Sequence, residues 1–223
     1  MKRLFSILFA ALYLTAFANN ALACACCVDE GFYMISTGKP REYVYGMLET
    51  MEFQRKADVY TGEADYDILK GLEIVNQEYR SGAWEAGGAF NFVNEFTNRS
   101  WKFTLKTPGG KTGTLVLPMP AQMVQFKVDT HDTKDTGLGV GLYKELRFKG
   151  YVQSGTGIFR AGIVKPTSYF LVFQGHGNGC DDVSDFTHWH LEINGKKANY
   201  ELNGKLKSGA GQETEEAESK ETN

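Results

Sequence analysis

The sequence predicts an all-β protein, an antiparallel sandwich or barrel of about ten short strands with one short N-terminal helix. Short runs of aromatic and β-branched residues are separated by glycine-containing turns, which is typical of such folds. The clearest run is 101–106, where apolar and polar side chains alternate with the period of two of a half-buried strand. Many such runs in one chain favour a sandwich or barrel, because a sheet must bury its apolar face.

The best-defined pair of strands is a hairpin. The Pro-Gly-Gly sequence at 108–110 turns the chain after strand 101–106, and residues 114–117 return as its partner. The same reasoning predicts strands at 72–75, 84–93, 123–128, 143–148, 157–163, 169–173, 187–193 and 200–202.

One segment has the spacing of a helix instead. After Pro40, which suits the first turn of a helix, apolar side chains recur every three or four residues. They are Tyr43, Val44, Met47, Leu48 and Met51. We therefore expect a helix over residues 40–51, although Gly46 weakens it by about 1 kcal/mol relative to alanine.

Residues 1–23 have the features of a cleaved signal peptide. Lys2 and Arg3 precede a short apolar run, and Ala21 and Ala23 are the small residues before the cleavage point. The run is too short for a membrane span, which needs roughly 20 residues. We expect an exported protein, periplasmic or extracellular, with no transmembrane segment in its mature chain.

The mature chain divides into a single β-rich domain, residues 24–207, and a disordered acidic tail, residues 208–223. Removing Lys2 and Arg3 from the 24 basic residues leaves 22 against 27 acidic ones, a formal charge of −5. Five glutamates and one lysine in the tail account for −4 of it, and the tail has no large apolar side chain. The near-neutral body has no basic stripe, which argues against nucleic acid as a partner.

The four cysteines are Cys24, Cys26 and Cys27 at the mature N-terminus and the distant Cys180. In an exported protein this distribution predicts a disulfide between Cys180 and either Cys26 or Cys27. In the chain-entropy model so long a loop contributes roughly 4 to 5 kcal/mol.

Two other uses of the N-terminal cysteines remain open. Cys24 follows a small residue, as in a lipid-anchored protein, although Ala21 stands where such a signal has leucine. The Cys-x-x-Cys spacing also occurs in redox catalysts, but here no strand precedes it.

A histidine-rich segment near the C-terminus predicts a candidate metal site. On a strand, His188 and His190 lie on one face together with Glu192, while the alternate residues are apolar. The candidate ligands are His176, Cys180, His188 and His190. Thiolate and imidazole together favour copper or zinc. The alternative is that these histidines only form the solvated face of an amphipathic strand.

No serine, histidine and acid arrangement or other catalytic motif stands out. We therefore expect a binding or structural module of unknown ligand, rather than an enzyme. A disulfide would join its N-terminus to Cys180. The alternative function is an extracytoplasmic copper- or zinc-binding protein that uses the histidine and cysteine cluster.

Overall fold

The computed structural model describes residues 26–60, 90–107, 109–131 and 140–207. These residues form strands, one α-helix and one short 3-10 turn. In chain order the elements are β1 (Tyr33–Gly38), α1 (Glu42–Thr50), β2 (Phe53–Tyr60), β3 (Phe90–Thr97), β4 (Ser100–Lys106), β5 (Thr112–Pro118), β6 (Met123–Asp129), β7 (Leu142–Tyr151), β8 (Ser154–Gly157), β9 (Thr167–Gly177), the 3-10 turn (Val183–Asp185), β10 (Phe186–Gly195) and β11 (Ala198–Leu206).

All eleven strands of the described residues belong to one antiparallel sheet. Their order across it is β1-β6-β7-β9-β10-β11-β2-β3-β4-β5-β8. The prediction of an all-β fold with one short N-terminal helix is confirmed. Within the described residues β1 and β8 are the two edges and do not pair with each other, so hydrogen bonds do not close the sheet.

Aromatic side chains fold the sheet over on itself. Trp189 of β10 stacks on Phe92 of β3, with ring centroids 4.7 Å apart, and contacts Phe103 of β4 at 5.6 Å. In a flat sheet β10 and β4, four positions apart, would be separated by about 19 Å. Trp101 of β4 likewise reaches Phe148 of β7 at 5.0 Å. The sheet therefore curls around a shared core, which makes one of its faces the inside of the molecule.

The predicted alternation along β10 is confirmed. The side chains on its inner face, Trp189, Leu191 and Ile193, are buried. The outer face carries His188, His190 and Glu192, which are exposed or half-buried. The candidate ligands on this strand therefore lie outside the core.

The predicted helix is confirmed in a shorter form. It spans Glu42–Thr50 rather than residues 40–51, and it buries Val44, Met47 and Leu48. The hairpin of β4 and β5 is also confirmed, with Phe103 opposite Leu115.

The strand predicted at 157–163 is wrong. β8 ends at Gly157, and the chain then turns, with the N–H of Phe159 donating to the carbonyl of Thr156 at 3.2 Å. Ile158 and Phe159 are buried although they are not in a strand, because the turn inserts them into the core. The prediction at 72–75, and the part of 84–93 before Phe90, lie outside the described residues.

Two strands were not predicted, and each lacks the expected pattern. β1 is an edge strand with little burial, so its sequence shows no regular alternation. β2 contains Arg55, Lys56 and Asp58, which resemble a loop in sequence. Both strands are held by backbone pairing to a neighbour, β1 to β6 and β2 to β11.

The signal peptide predicted at residues 1–23 and the tail predicted at 208–223 lie outside the described residues, as does Cys24. The one α-helix of the described residues has nine residues. Within the same part of the chain, no helix has the length and apolar character needed to cross a membrane.

A disulfide joins Cys26 to Cys180, across 154 positions of sequence. Their Cα atoms are 4.8 Å apart, and the backbone N–H of Gly179 donates to the carbonyl of Cys26 at 2.7 Å. Cys27 is disulfide-bonded as well. Of the two pairings predicted for Cys180, the structure has the one with Cys26. This bond fastens the start of the described chain to the loop between β9 and β10.

Replacing both Cys26 and Cys180 with alanine should lower the free energy of unfolding by about 2 to 5 kcal/mol, because the unfolded chain loses a long cross-link. Guanidinium unfolding without reductant, followed by tryptophan fluorescence, measures the loss. Reductant should shift the midpoint of the wild type more than that of the variant. Equal stability of wild type and variant would contradict the prediction.

Candidate functional site

The structure does not bring the four predicted metal ligands together in one group. His176, near the end of β9, is exposed and packs edge-on against Tyr143, with ring centroids 5.4 Å apart. His188 is exposed and its Nδ1 lies 2.8 Å from the hydroxyl of Thr187. Cys180 forms the disulfide, so it has no thiolate to offer a metal. The ligand set predicted from the sequence does not assemble in this structure.

His190 instead lies beside two carboxylates. Its Nε2 is 3.2 Å from Oε1 of Glu192, and Glu201 lies opposite Glu192 on β11. One ligating atom from each of the three residues lies within 4.8 Å of the others. Asn203 lies opposite His190, and its Oδ1 contacts Nδ1 of the imidazole. In the part of the chain that the structure describes, this is the only group of three or more such side chains.

The alternation along β10 predicts that Glu192 lies on the face of the histidines, whereas Glu201 was not among the predicted site residues. The signal was available in the hairpin that joins β10 to β11. Gly195 pairs with Ala198, and counting back along both strands from this turn places Glu192 opposite Glu201.

A second cluster of charges lies on the inner face of β6 and β7. It lies beneath the loop between β9 and β10, which contains Cys180. Lys127 and Lys144 are directly opposite each other on these strands, and both are buried. Asp181 Oδ1 lies 2.8 Å from Nζ of Lys127 and 3.6 Å from Nζ of Lys144, while Asp185 lies 2.6 Å from Lys144. Two buried ammonium groups are therefore matched by two carboxylates.

Backbone carbonyls complete the coordination of the two lysines. Lys127 donates to the carbonyl of Gly179 at 2.6 Å, and Lys144 donates to that of Cys180. A side chain at Gly177 would collide with Asp185, since a Cβ there would lie 2.1 Å from the carboxylate. The loop is thus bound to the sheet by charge as well as by the disulfide. Every charge in the cluster has a partner, so we interpret the cluster as a structural anchor.

The carboxylate of Asp129 fixes the neighbouring segments in a similar way. It accepts hydrogen bonds from the backbone N–H groups of Gly31 and His131, each at 2.8 Å. These bonds favour the charged form and hold the pKa of Asp129 below its ordinary value. The carboxylate therefore ties the approach to β1 to the end of β6.

A cleft of about 610 Å³ opens where β2 and β3 separate. These strands share only two register pairs, Lys56 with Asn91 and Ala57 with Phe90. Beyond these two pairs, β2 stays paired with β11, and β3 stays paired with β4. The cleft is lined by Met51, Glu52, Phe53, Arg55, Asn91, Phe92, Val93, Asn94, Lys106 and Lys207.

The cleft combines an apolar interior with a cationic rim. Phe53 and Phe92 lie 5.6 Å apart, and both contact Trp189 in the core. Arg55 and Lys106 are exposed at the rim. The remaining charged lining residues, Glu52 and Lys207, neutralise each other in an ion pair of 3.0 Å. Within the described residues, no carboxylate that lines the cleft offsets the two positive charges of this rim.

One polar atom of the cleft lacks a partner. Asn94 Oδ1 is shielded from solvent and accepts no hydrogen bond within the described residues. A buried acceptor without a donor costs roughly 1 to 3 kcal/mol. A bound molecule with a donor at this position would satisfy it.

Comparison of the chain with protein-family models, with curated proteins and with solved structures gives no match. A fold by itself does not determine function. The functional proposals below therefore rest on the chemistry of two sites, the group of His190, Glu192 and Glu201 and the cleft between β2 and β3.

Changing Lys144 to methionine should destabilise the protein by about 3 to 5 kcal/mol, because it leaves the carboxylate of Asp185 buried without its cation. The matched control is Lys102→Met. That lysine forms an exposed ion pair of 3.5 Å with Glu95, so its loss should cost no more than about 1 kcal/mol. Thermal and denaturant unfolding measure both. Equal losses for the two variants would contradict the anchoring role.

Proposed function

We propose that this protein is an exported binding module whose cleft between β2 and β3 takes an anionic amphiphile. The observation that carries the proposal is the pairing of an aromatic floor with an unbalanced cationic rim in one cleft. The signal-like N-terminal segment and the disulfide support export, because disulfides persist outside the reducing cytoplasm.

The lining specifies the chemistry of the ligand. Phe53 is half-buried and Val93 is exposed, so these two lining residues offer apolar surface to an alkyl or acyl chain, whereas Phe92 and Met51 are already buried in the core. Burial of that chain contributes roughly 0.8 kcal/mol per methylene group. Arg55 and Lys106 lie where an anionic head group would leave the cleft. A carboxylate at the end of an apolar chain satisfies both requirements.

The parting of the strands adds a second source of affinity. Beyond Lys56 and Asn91, the facing edges of β2 and β3 have no partner in each other. A backbone N–H group that a neighbouring strand leaves unpaired can donate to a polar atom of a ligand. The orphan Oδ1 of Asn94 is an acceptor, so it would pair with a donor such as a ligand hydroxyl and not with the carboxylate head itself.

Decanoate should bind the wild type, and the charge-reversed variant Arg55→Glu with Lys106→Glu should bind it at least about tenfold more weakly. Each exposed ion pair contributes about 1 kcal/mol, and reversal adds repulsion. Isothermal titration calorimetry measures the affinity, and tryptophan fluorescence reports on Trp189 beside the floor.

Lys102→Glu is the matched control for this experiment. Lys102 lies on the same face of β4 as Lys106 but does not line the cleft, so its reversal should leave decanoate binding unchanged. The uncharged 1-decanol should bind wild type and both variants equally. If the reversed variant binds decanoate as well as the wild type does, the cleft is not the site.

The proposal of export predicts a mature protein that begins at Cys24. Mass spectrometry of the protein recovered from the extracytoplasmic fraction should find its N-terminus after Ala23. A diacylglycerol adduct on Cys24 would replace soluble export by lipid anchoring. Protein that still begins at Met1 in that fraction would contradict cleavage of the signal peptide.

A further inference from the structure

We propose that His190, Glu192 and Glu201 form a zinc site on the outer face of the sheet. None of the three lines the cleft, so this site goes beyond the proposed binding function and is independent of it. It keeps one residue of the set predicted from the sequence and replaces the others with carboxylates.

The orientation of the imidazole suits a metal ligand. Asn203 Oδ1 contacts Nδ1 of His190, and a carbonyl oxygen can only accept a hydrogen bond, so Nδ1 is the donor in this contact. Nε2 is the ring nitrogen that faces the Glu192 carboxylate, and it is the atom that a metal would bind. A metal-binding histidine is held in the same way, since its other ring nitrogen donates to an oxygen that fixes the tautomer.

Two carboxylates lie side by side in this cluster. Glu192 lies opposite Glu201, an arrangement of like charges that destabilises a pair of strands. Within the described residues neither glutamate has an ion pair with lysine or arginine. Among the neighbouring charges, Asp58 lies opposite Asn203 and Lys205 lies opposite His188. On the other side Lys149 of β7 lies opposite Phe170, which itself lies opposite Glu192. A bound cation would remove the repulsion.

The distances within the cluster also suit a metal. Two ligands held 2.0 to 2.1 Å from a tetrahedral zinc ion are about 3.3 Å apart. The separation of 3.2 Å between Nε2 and Oε1 matches this value, and the Glu201 carboxylate is within 4.8 Å of both. Three ligands form if the Glu201 carboxylate moves closer to the other two, with the fourth position open to water.

The donor set favours zinc. Imidazole nitrogen and glutamate oxygen are both ordinary zinc ligands, whereas calcium takes six to eight oxygens. Copper(I) was favoured by the thiolate of Cys180, which the disulfide consumes. A zinc ion here would join β10 to β11 at the centre of the sheet.

The test is calorimetric titration of ZnCl₂ into tag-free wild-type protein that has been stripped with chelator. One equivalent should bind. Glu201→Gln should weaken zinc binding by more than about 100-fold, because loss of a ligand exceeds the 10- to 100-fold cost of a second-shell change. Asn203→Ala should weaken zinc binding by about 10- to 100-fold, because Asn203 contacts the imidazole and is not itself a ligand. His188→Ala is the matched control, since His188 lies on the same face of β10 outside the cluster, and it should bind zinc as the wild type does.

Thermal unfolding supplies a readout that does not depend on titration. Zinc should raise the melting temperature of the wild type and of His188→Ala but not that of Glu201→Gln. Without zinc, Glu201→Gln should melt above the wild type, because the substitution removes the like-charge repulsion while keeping the shape of the side chain.

The proposal is overturned if the wild type takes up no stoichiometric zinc, if Glu201→Gln binds zinc like the wild type, or if His188→Ala loses binding as Glu201→Gln does. Decanoate binding by Glu201→Gln distinguishes this failure from a failure of the cleft. The cleft predicts unchanged affinity for decanoate in this variant, whatever happens to zinc.

Discussion

The packing of Trp189 against the aromatic side chains of β3 and β4 determines which surface of this protein is inside. A single antiparallel sheet has two faces and, left flat, exposes both. Contacts such as those of Trp189 with Phe92 and Phe103 bring distant strands together and make one face the dry core. The outer face is then free to carry polar chemistry, and the cleft opens where the curled sheet loses pairing between β2 and β3.

The same curvature leaves the inner face of β6 and β7 to be covered by other elements. Lys127 and Lys144 point inward there, where an opposing layer of apolar side chains would leave their charges without partners. The loop that contains Asp181 and Asp185 supplies the counter-charges, and the disulfide at Cys180 holds that loop in place. Covalent and electrostatic anchoring act together because neither lysine can be buried without the loop.

The strands that the sequence predicted are those with one buried and one solvated face. β4, β5, β7 and β10 alternate regularly, and each was placed within a few residues. The alternation is absent where the environment is not two-sided. β1 is an exposed edge, and β2 carries charges beside the cleft, so both resembled loops. The converse error came from Phe159, whose burial in a turn imitated a strand residue.

The sequence by itself determined the β class, the helix after Pro40, the face of β10 that carries His188 and His190, and the choice of Cys26 or Cys27 as partner of Cys180. These depend on local periodicity and on the scarcity of cysteine. Only the tertiary structure selected Cys26, removed Cys180 from the metal ligands, and opened the cleft between β2 and β3. The physical reason is that such choices depend on strand register and on the curvature of the sheet, which are set by contacts between residues far apart in the chain.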